Sequence, residues 1–442
     1  AQHPIAPEDI PASCMPYMSD PDSSYGAGPT NIKKLFSLYK KTQKAEGDGF
    51  LKYVSSPIYV EGIGTESNQM DSAVGAGTGR GETGVTSRVQ ASFTQIKQAI
   101  EEALQENPDS EIASLTFDTF GFSRGAAAAR HFANEVVRGK QGALGDLLNR
   151  NAADFSRTFD NKYGNGIKMG FIGLFDTVPS IAGFTNLGRV KSPIAPGVRL
   201  YLDRQYFTDV VHLVARDECR ANFALSRVKP AHPEYTLPGV HSDIGGSYLD
   251  EVEERVLVSP MQTLDVPRYV DVSTTSIYHD AARVKSEWLA KGWPPHLLEV
   301  VTPASVEIPQ EHQDRLSPGQ KRVYAALQLK RPVSGKLSRV YLRVMYQLAK
   351  EKGVQFIDIP EDDEYSVPAE LQPLCDRFLT GNYRTTAEEE ALLKLKYIHT
   401  SANWNHPLGR RDGSGIDAVY INAPTEDAIR VQHPHVADWK LW

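Results

Sequence analysis

Gly121-Phe122-Ser123-Arg124-Gly125 fits the pattern G-x-S-x-G. In that pattern small residues let the chain turn sharply from a strand into a helix, which lifts the serine hydroxyl clear of the sheet. An unassisted hydroxyl is a poor nucleophile, so Ser123 needs a base within hydrogen-bond reach and a third group to orient the base. The plainer reading of Ser123 is a helix N-cap. If the chain follows the α/β-hydrolase order of serine, acid and histidine, the candidates are Asp176 and His241. Asp176 closes the apolar stretch Ile167 to Phe175, and His241 lies between the Pro238-Gly239 turn and Gly245-Gly246, glycines that let backbone pass close to a site. Rivals exist. Asp243, two residues after His241, would share its side of an extended strand and could be the acid instead, with His399 as base; Asp217 is a further candidate acid. The structural alternatives are a loop-bonding role for His241 and a helix C-terminal position for His399. The backbone N–H of Arg124, at the positive end of the following helix, is the expected oxyanion donor. A histidine base with its ordinary pKa would lose activity as the pH drops through about 6.5.

The elements that must position these residues can be read from periodicity. Ile112 to Phe120 is β-branched and aromatic enough for a buried strand, and Arg124 to Arg138 is Ala-rich with helical spacing, which puts Ser123 at a strand-to-helix turn. Upstream, Thr30 or Asn31 caps a helix with Ile32, Leu35, Phe36 and Tyr39 on one face. Ile58 to Val60 reads as a short strand, and Val85 to about Gln105 as a long helix. Asp209 to Arg220 reads as helical, and Tyr235 to Val240 as an extended segment delivering His241. Alternating strands and helices point to an α/β fold with a mostly parallel sheet. From about Leu249 to Leu395 helical patterns dominate, at Ser276 to Lys291, Gln320 to Lys330, Leu337 to Lys352, Pro368 to Leu379 and Ala387 to Lys396. The expected organisation is an extended N-terminal arm at 1–29, which carries six prolines, a catalytic core at 30–248, a mainly helical lid or membrane-facing region at 249–396, and a C-terminal segment at 397–442 that packs on the core.

Composition narrows the function classes. The 442 residues carry a net charge of -7 with no long basic block, which argues against a nucleic-acid partner. Cys14, Cys219 and Cys375 are too few and too scattered for a disulfide framework, which suggests a reducing compartment of synthesis. No metal-binding spacing and no apolar run of about 20 residues is present, so neither metal nor other cofactor is expected and membrane contact would be peripheral. Gly79 to Gly84 satisfies G-x-G-x-x-G, but Thr65 to Thr78 separate it from the preceding strand, so a flexible loop fits better than a dinucleotide site. Between Ser317 and Gly353 nine basic residues face Glu351 alone; this is either a basic surface for anionic lipid or a solvated face over an ordinary core.

Gly121 to Ala126, Phe175-Asp176-Thr177-Val178, Pro238 to Gly246 and Tyr59 to Thr65 together resemble the type VI secretion lipase effectors of the first family. The resemblance covers about residues 30 to 250 and extends loosely to Tyr397 to Ser401. It implies an α/β-hydrolase acting as a phospholipase A on membrane phospholipid, with Ser123 as nucleophile, Asp176 as acid and His241 as base. It further implies synthesis in a bacterial cytoplasm, delivery to the periplasm of a target cell, a secretion spike or tube protein as carrier, and an immunity protein in the producer. One departure is the strand ending in an Asp-Gly-Thr turn that such proteins usually carry before the Pro-Thr-Asn found here at Pro29-Thr30-Asn31; the first strand and one oxyanion donor are then expected from elsewhere, or the chain is a fragment. A carboxylesterase for small soluble esters and a non-catalytic binding protein on the same fold are the alternative functions.

Overall fold

Four short apolar segments assemble into a parallel sheet, and each ends at one of the acids or nucleophile candidates or shortly before His241. A computed structural model of the chain describes residues 3–5, 10–18, 28–61, 84–150, 152–179, 197–309, 318–410 and 418–437. The run Gly79 to Gly84, apart from Gly84 itself, and Gly62 to Thr65 lie outside the described residues. In chain order the first part comprises α1 (Asn31–Leu38), α2 (Val85–Glu106), β1 (Leu115–Phe122), α3 (Arg124–Val137), β2 (Ile167–Phe175), β3 (Val210–Ala215), β4 (Glu234–Leu237) and α4 (His241–Gly245). The strands lie side by side in the order β1-β2-β3-β4, all parallel, so their C-terminal ends share one edge.

Two expectations change here. Asp209 to Arg220 is not a helix. Its centre is β3, six buried residues in a continuous apolar run, which periodicity alone cannot assign; its place between β2 and β4, buried on both faces, decides for a strand. Ile58 to Val60 runs without regular structure and has no ladder partner among the described residues, although Ile58 packs against the same buried cluster as Leu115 and Phe117 of β1. Among the described residues β1 pairs with β2 alone.

The region after residue 248 is not mainly helical. It contains β5 (Glu251–Leu257), β6 (Gln262–Pro267), α5 (Ser276–Ala290), β7 (Leu298–Val301), β8 (Gln320–Ser334), α6 (Ser338–Glu351) and α7 (Gln372–Leu379). Gln320 to Lys330, expected as a helix, lies within the 15-residue β8, which pairs antiparallel with β6 along its first half, β5 along its second and β7 in between. Partners on both edges override the helical preference of its Ala, Leu and Gln residues. The N-terminal arm joins this sheet where His3 and Pro4 pair with β6.

Helix α6 is where a lid was expected, yet its apolar face is buried in the core. Val340, Tyr341, Val344 and Met345 are buried with Phe171 and Phe175 of β2 and Leu213 of β3. The basic run around it is also met by acids from elsewhere in the chain. Arg322 pairs with Asp265 at 2.8 Å, Arg331 with Glu254 at 3.1 Å, Arg339 with Asp250 at 2.9 Å and Lys352 with Asp209 at 3.5 Å, while Lys330 and Lys336 approach Glu253 and Glu251. A stripe that is cationic in sequence is thus largely compensated in space, which favours the solvated-face reading over a lipid-binding one. Met345→Ala is expected to lower the unfolding free energy by about 2–5 kcal/mol in a urea titration. Lys350→Ala, whose ammonium lies 5.4 Å from the centroid of the Tyr346 ring, should cost less than about 1 kcal/mol. Equal losses would show that α6 is not a core helix.

Candidate active site

Ser123 occupies the turn between β1 and α3 with φ 60 and ψ -124, a conformation that ordinary residues avoid. It does not cap the helix through its side chain, which removes the N-cap reading. The turn is held by its backbone: Ser123 N–H donates to the Phe175 carbonyl at 3.1 Å, and its carbonyl accepts from Ala126 N at 3.0 Å. Gly121 is required by this closure, since a Cβ there would lie 2.1 Å from the Gly125 carbonyl oxygen. Gly125 is different: a Cβ on it would face open space, so packing does not demand that glycine. Arg124 opens α3, which sets its N–H at the positive end of the helix beside Ser123.

Asp176 follows β2 immediately and is fully buried, again at a positive φ of 44. Its carboxylate receives four contacts from three residues. His241 Nδ1 lies against Oδ2, Ala215 N–H donates to Oδ1 at 2.9 Å, and Arg430 grips both oxygens at 2.7 and 2.8 Å. Burial would raise the pKa of this carboxyl, but the Arg430 charge and the hydrogen bond from His241 outweigh it and hold the group well below the usual carboxylate range.

His241 is the first residue of α4. Its ring lies between Phe122, at 4.6 Å between centroids, and Phe223, at 5.0 Å. Phe122 directly precedes Ser123, and Gly245 makes its ring fit, because a Cβ on Gly245 would come within 2.2 Å of it. The turn before His241 is tied down by Tyr341 Oη donating to the Pro238 carbonyl, and α4 after it by Asn31 Nδ2 donating to the Ile244 carbonyl at 2.9 Å. Burial pushes the His241 pKa down to about 4, and the charges of Arg220 and Arg430 add to that effect against the pull of Asp176.

The rival pair is also real in space, but it forms a second dyad. Because α4 is a helix and not an extended strand, Asp243 points away from His241; its Oδ2 accepts the Val240 N–H at 3.0 Å and the His399 N–H at 3.1 Å, and its Oδ1 meets His399 Nδ1 at 2.7 Å. His399 stacks face to face on Tyr248 at 3.6 Å, and its Nε2 is buried without a hydrogen-bond partner. Burial lowers the His399 pKa, yet the Asp243 charge outweighs it and the net direction is upward. Asp217 faces no histidine; it accepts the Gly239 N–H at 2.7 Å and pairs with Arg216.

Sequence reasoning missed three groups of residues. Arg430 is separated from Asp176 by 254 positions and carries no motif of its own. Glu218, beside His241, accepts from Arg220 at 2.6 Å and from Ser401 at 3.0 Å, and burial pushes its pKa up to about 7. His212 accepts the Thr177 N–H at 3.0 Å on Nε2 and so donates from Nδ1 to Glu234, which locks the residue after Asp176.

Residues 145–267 match a family model described as type VI secretion phospholipase effector, Tle1-like, catalytic domain. These findings support a type VI secretion phospholipase effector, with the likeness to the Tle1-like catalytic domain lying over residues 145–267. The match spans Asp176 and His241 and begins after Ser123. The structure of the Tle1 effector bound to the VgrG spike from the type 6 secretion system aligns with a TM-score of 0.77 at 29% identity, over 96% of this chain and 86% of that one. An uncharacterized protein from Pseudomonas aeruginosa aligns over 69% of this chain and 34% of that one at 20% identity, and its TM-score of 0.31 carries no argument. No curated protein matches the chain. As an effector of this kind the chain is secreted by the type VI system into target cells.

The two elbow glycines of the effector predict opposite outcomes. Gly121→Ala should destabilise the fold by about 1–3 kcal/mol or more and, by displacing the turn, reduce ester hydrolysis by about 10²-fold. Gly125→Ala should leave the melting temperature unchanged or raise it, since alanine suits a helix better than glycine. Thermal melts of both variants check the pair.

Proposed function

We propose that this effector hydrolyses the acyl esters of membrane phospholipids by a Ser-His-Asp mechanism. The observation that carries the reading is the meeting of Asp176 and His241 at the strand edge where Ser123 turns, with the Ser123 N–H bonded to the residue before Asp176. In this reading His241, bonded to Asp176 through Nδ1, presents Nε2 as general base. The Ser123 hydroxyl loses its proton to Nε2 as its oxygen attacks the acyl carbonyl, and the Arg124 N–H steadies the oxyanion. The imidazolium returns the proton to the leaving lysophospholipid oxygen. A water deprotonated by His241 then attacks the acyl-enzyme, which releases the fatty acid and restores Ser123.

The Asp243-His399 dyad is assigned to holding α4, since the His399 Nε2 is buried and has no partner. Among the described residues no helix is long and apolar enough to cross a membrane, so contact with the lipid surface is read as peripheral. The solved Tle1 effector is bound to a VgrG spike; we read this chain as carried by a comparable spike, released in the periplasm of the target cell, and countered in the producing cell by an immunity protein.

Ser123→Ala is expected to retain the fold and lower kcat on phospholipid vesicles by about 10⁴–10⁶; hydrolysis at the wild-type rate would sink the mechanism. His241→Ala should match that loss, whereas His399→Ala should retain measurable turnover, and the reverse ranking would make His399 the base. Buried His241 also changes the expected pH dependence. A base whose pKa is depressed stays neutral and competent in acid, so kcat/KM should be flat from pH 8 to about 5 and fall only as the pH approaches about 4. A midpoint near the ordinary histidine value of about 6.5 would contradict the buried site.

A further inference from the structure

The residue that sets Asp176 apart from an ordinary triad acid comes from the far end of the chain. Arg430 is almost fully buried, donates from both terminal nitrogens to the two Asp176 oxygens, and donates from Nε to the Phe223 carbonyl at 2.8 Å, so that its guanidinium is fixed in plane. The segment that carries it is laid along the loop beside the site: Ala221 N–H bonds to the Ala423 carbonyl, Thr425 N–H to the Cys219 carbonyl, Leu225 N–H to the Val431 carbonyl and Arg227 N–H to the His433 carbonyl, all at 2.9–3.0 Å. Phe223, whose carbonyl anchors Arg430, packs its ring on His241. One short stretch thus touches the acid directly and the base through Phe223.

A carboxylate that orients a histidine normally also stabilises the imidazolium formed in the transition state. Here a second cation already occupies both oxygens. We propose that Arg430 is a positioning residue of the hydrolytic reaction, one that fixes Asp176 in place and neutralises its charge so that His241 remains an unprotonated base in acidic surroundings. This deepens the Ser-His-Asp reading and rests on it. The charged and titratable groups facing His241 are Asp176 at the end of β2, Arg430 on the C-terminal segment, and Glu218 and Arg220 on the loop after β3. From its own helix Asp243 is turned toward His399. Glu218 and Arg220 pair with each other at 2.6 Å, so Arg430 is the cation that acts on the acid itself.

The test follows labelling of Ser123 in the full chain by a fluorophosphonate between pH 3.5 and 8, a readout of the nucleophile and base that does not depend on lipid substrate. In the wild type the labelling rate should halve near pH 4. Arg430→Gln, which keeps a hydrogen-bond donor but loses the charge, should move that midpoint up by about one unit or more, as expected when an opposing charge is removed at contact distance. Arg430→Lys keeps the charge and should return the midpoint to within about half a unit of the wild type, even with a slower rate at every pH. An Arg430→Gln variant that is folded by circular dichroism and labelled with an unmoved midpoint overturns the proposal, because a purely structural role would slow labelling equally at all pH values. If that variant does not fold, the wild type decides, since a midpoint at or above about 6.5 shows that His241 is not kept neutral. Absence of Ser123 labelling in folded wild type instead removes the Ser-His-Asp mechanism itself, and with it this role.

Discussion

A fully buried carboxylate has to be compensated by groups that the fold brings to it, and in this effector that requirement centres on Asp176. Its partners arrive from β3 through Ala215, from α4 through His241 and from the C-terminal segment through Arg430, while its own N–H is held by the Leu213 carbonyl at 2.7 Å. Loss of Arg430, the charged partner, would leave a buried charge uncompensated, which is far more costly than the intact pair is stabilising. Asp176 and Ser123 both sit at positive φ, conformations that persist only where the surroundings overdetermine them. The parallel sheet supplies that overdetermination by ending neighbouring strands at neighbouring heights.

Helix α4 links this centre to the second dyad. His241 and Asp243 are two residues apart, about 200° around a helix, so the element that aims one side chain at Asp176 must aim the other elsewhere. The two pairs contain the same residue types, yet their histidines are shifted in opposite directions. His399 is raised because its pairing with Asp243 outweighs its burial, whereas His241 is lowered because burial and two arginines outweigh Asp176. The bidentate Arg430 on Asp176 distinguishes the first pair from the second, where Asp243 is held by the His399 ring and by two backbone N–H groups.

Much of the site was readable from residue order because its signals are local. The elbow needs only a strand, a small residue at Gly121 and a helix, and Asp176 and His241 each follow an apolar strand closely; those features stand next to one another in the chain. The readings that failed depended on distant pairing. The strand β8 looked helical because Ala, Leu and Gln dominate its centre, and only β5, β6 and β7 beside it impose the extended form. The segment at Val210 is an apolar run compatible with either state until two parallel neighbours bury both faces. The placement of Asp243 and His241 on one face failed for the same reason, since the turn after β4 enters a helix.

The cationic run around α6 and the solitary arginine near the C-terminus show the same limit acting in opposite directions. Nine basic residues in sequence left open either an attractive surface or a solvated face, and acids at positions 209, 250, 251, 253, 254 and 265 meet six of them. Arg430, in a segment without any charge pattern, makes the bidentate ion pair that the acid of the site depends on. Charge in a folded chain has meaning only with its partners, and partners are chosen by topology. The Ser123 turn can therefore be assembled locally between β1 and α3, while the compensation of the buried Asp176 carboxylate depends on the segment carrying Arg430 docking against the loop beside β3.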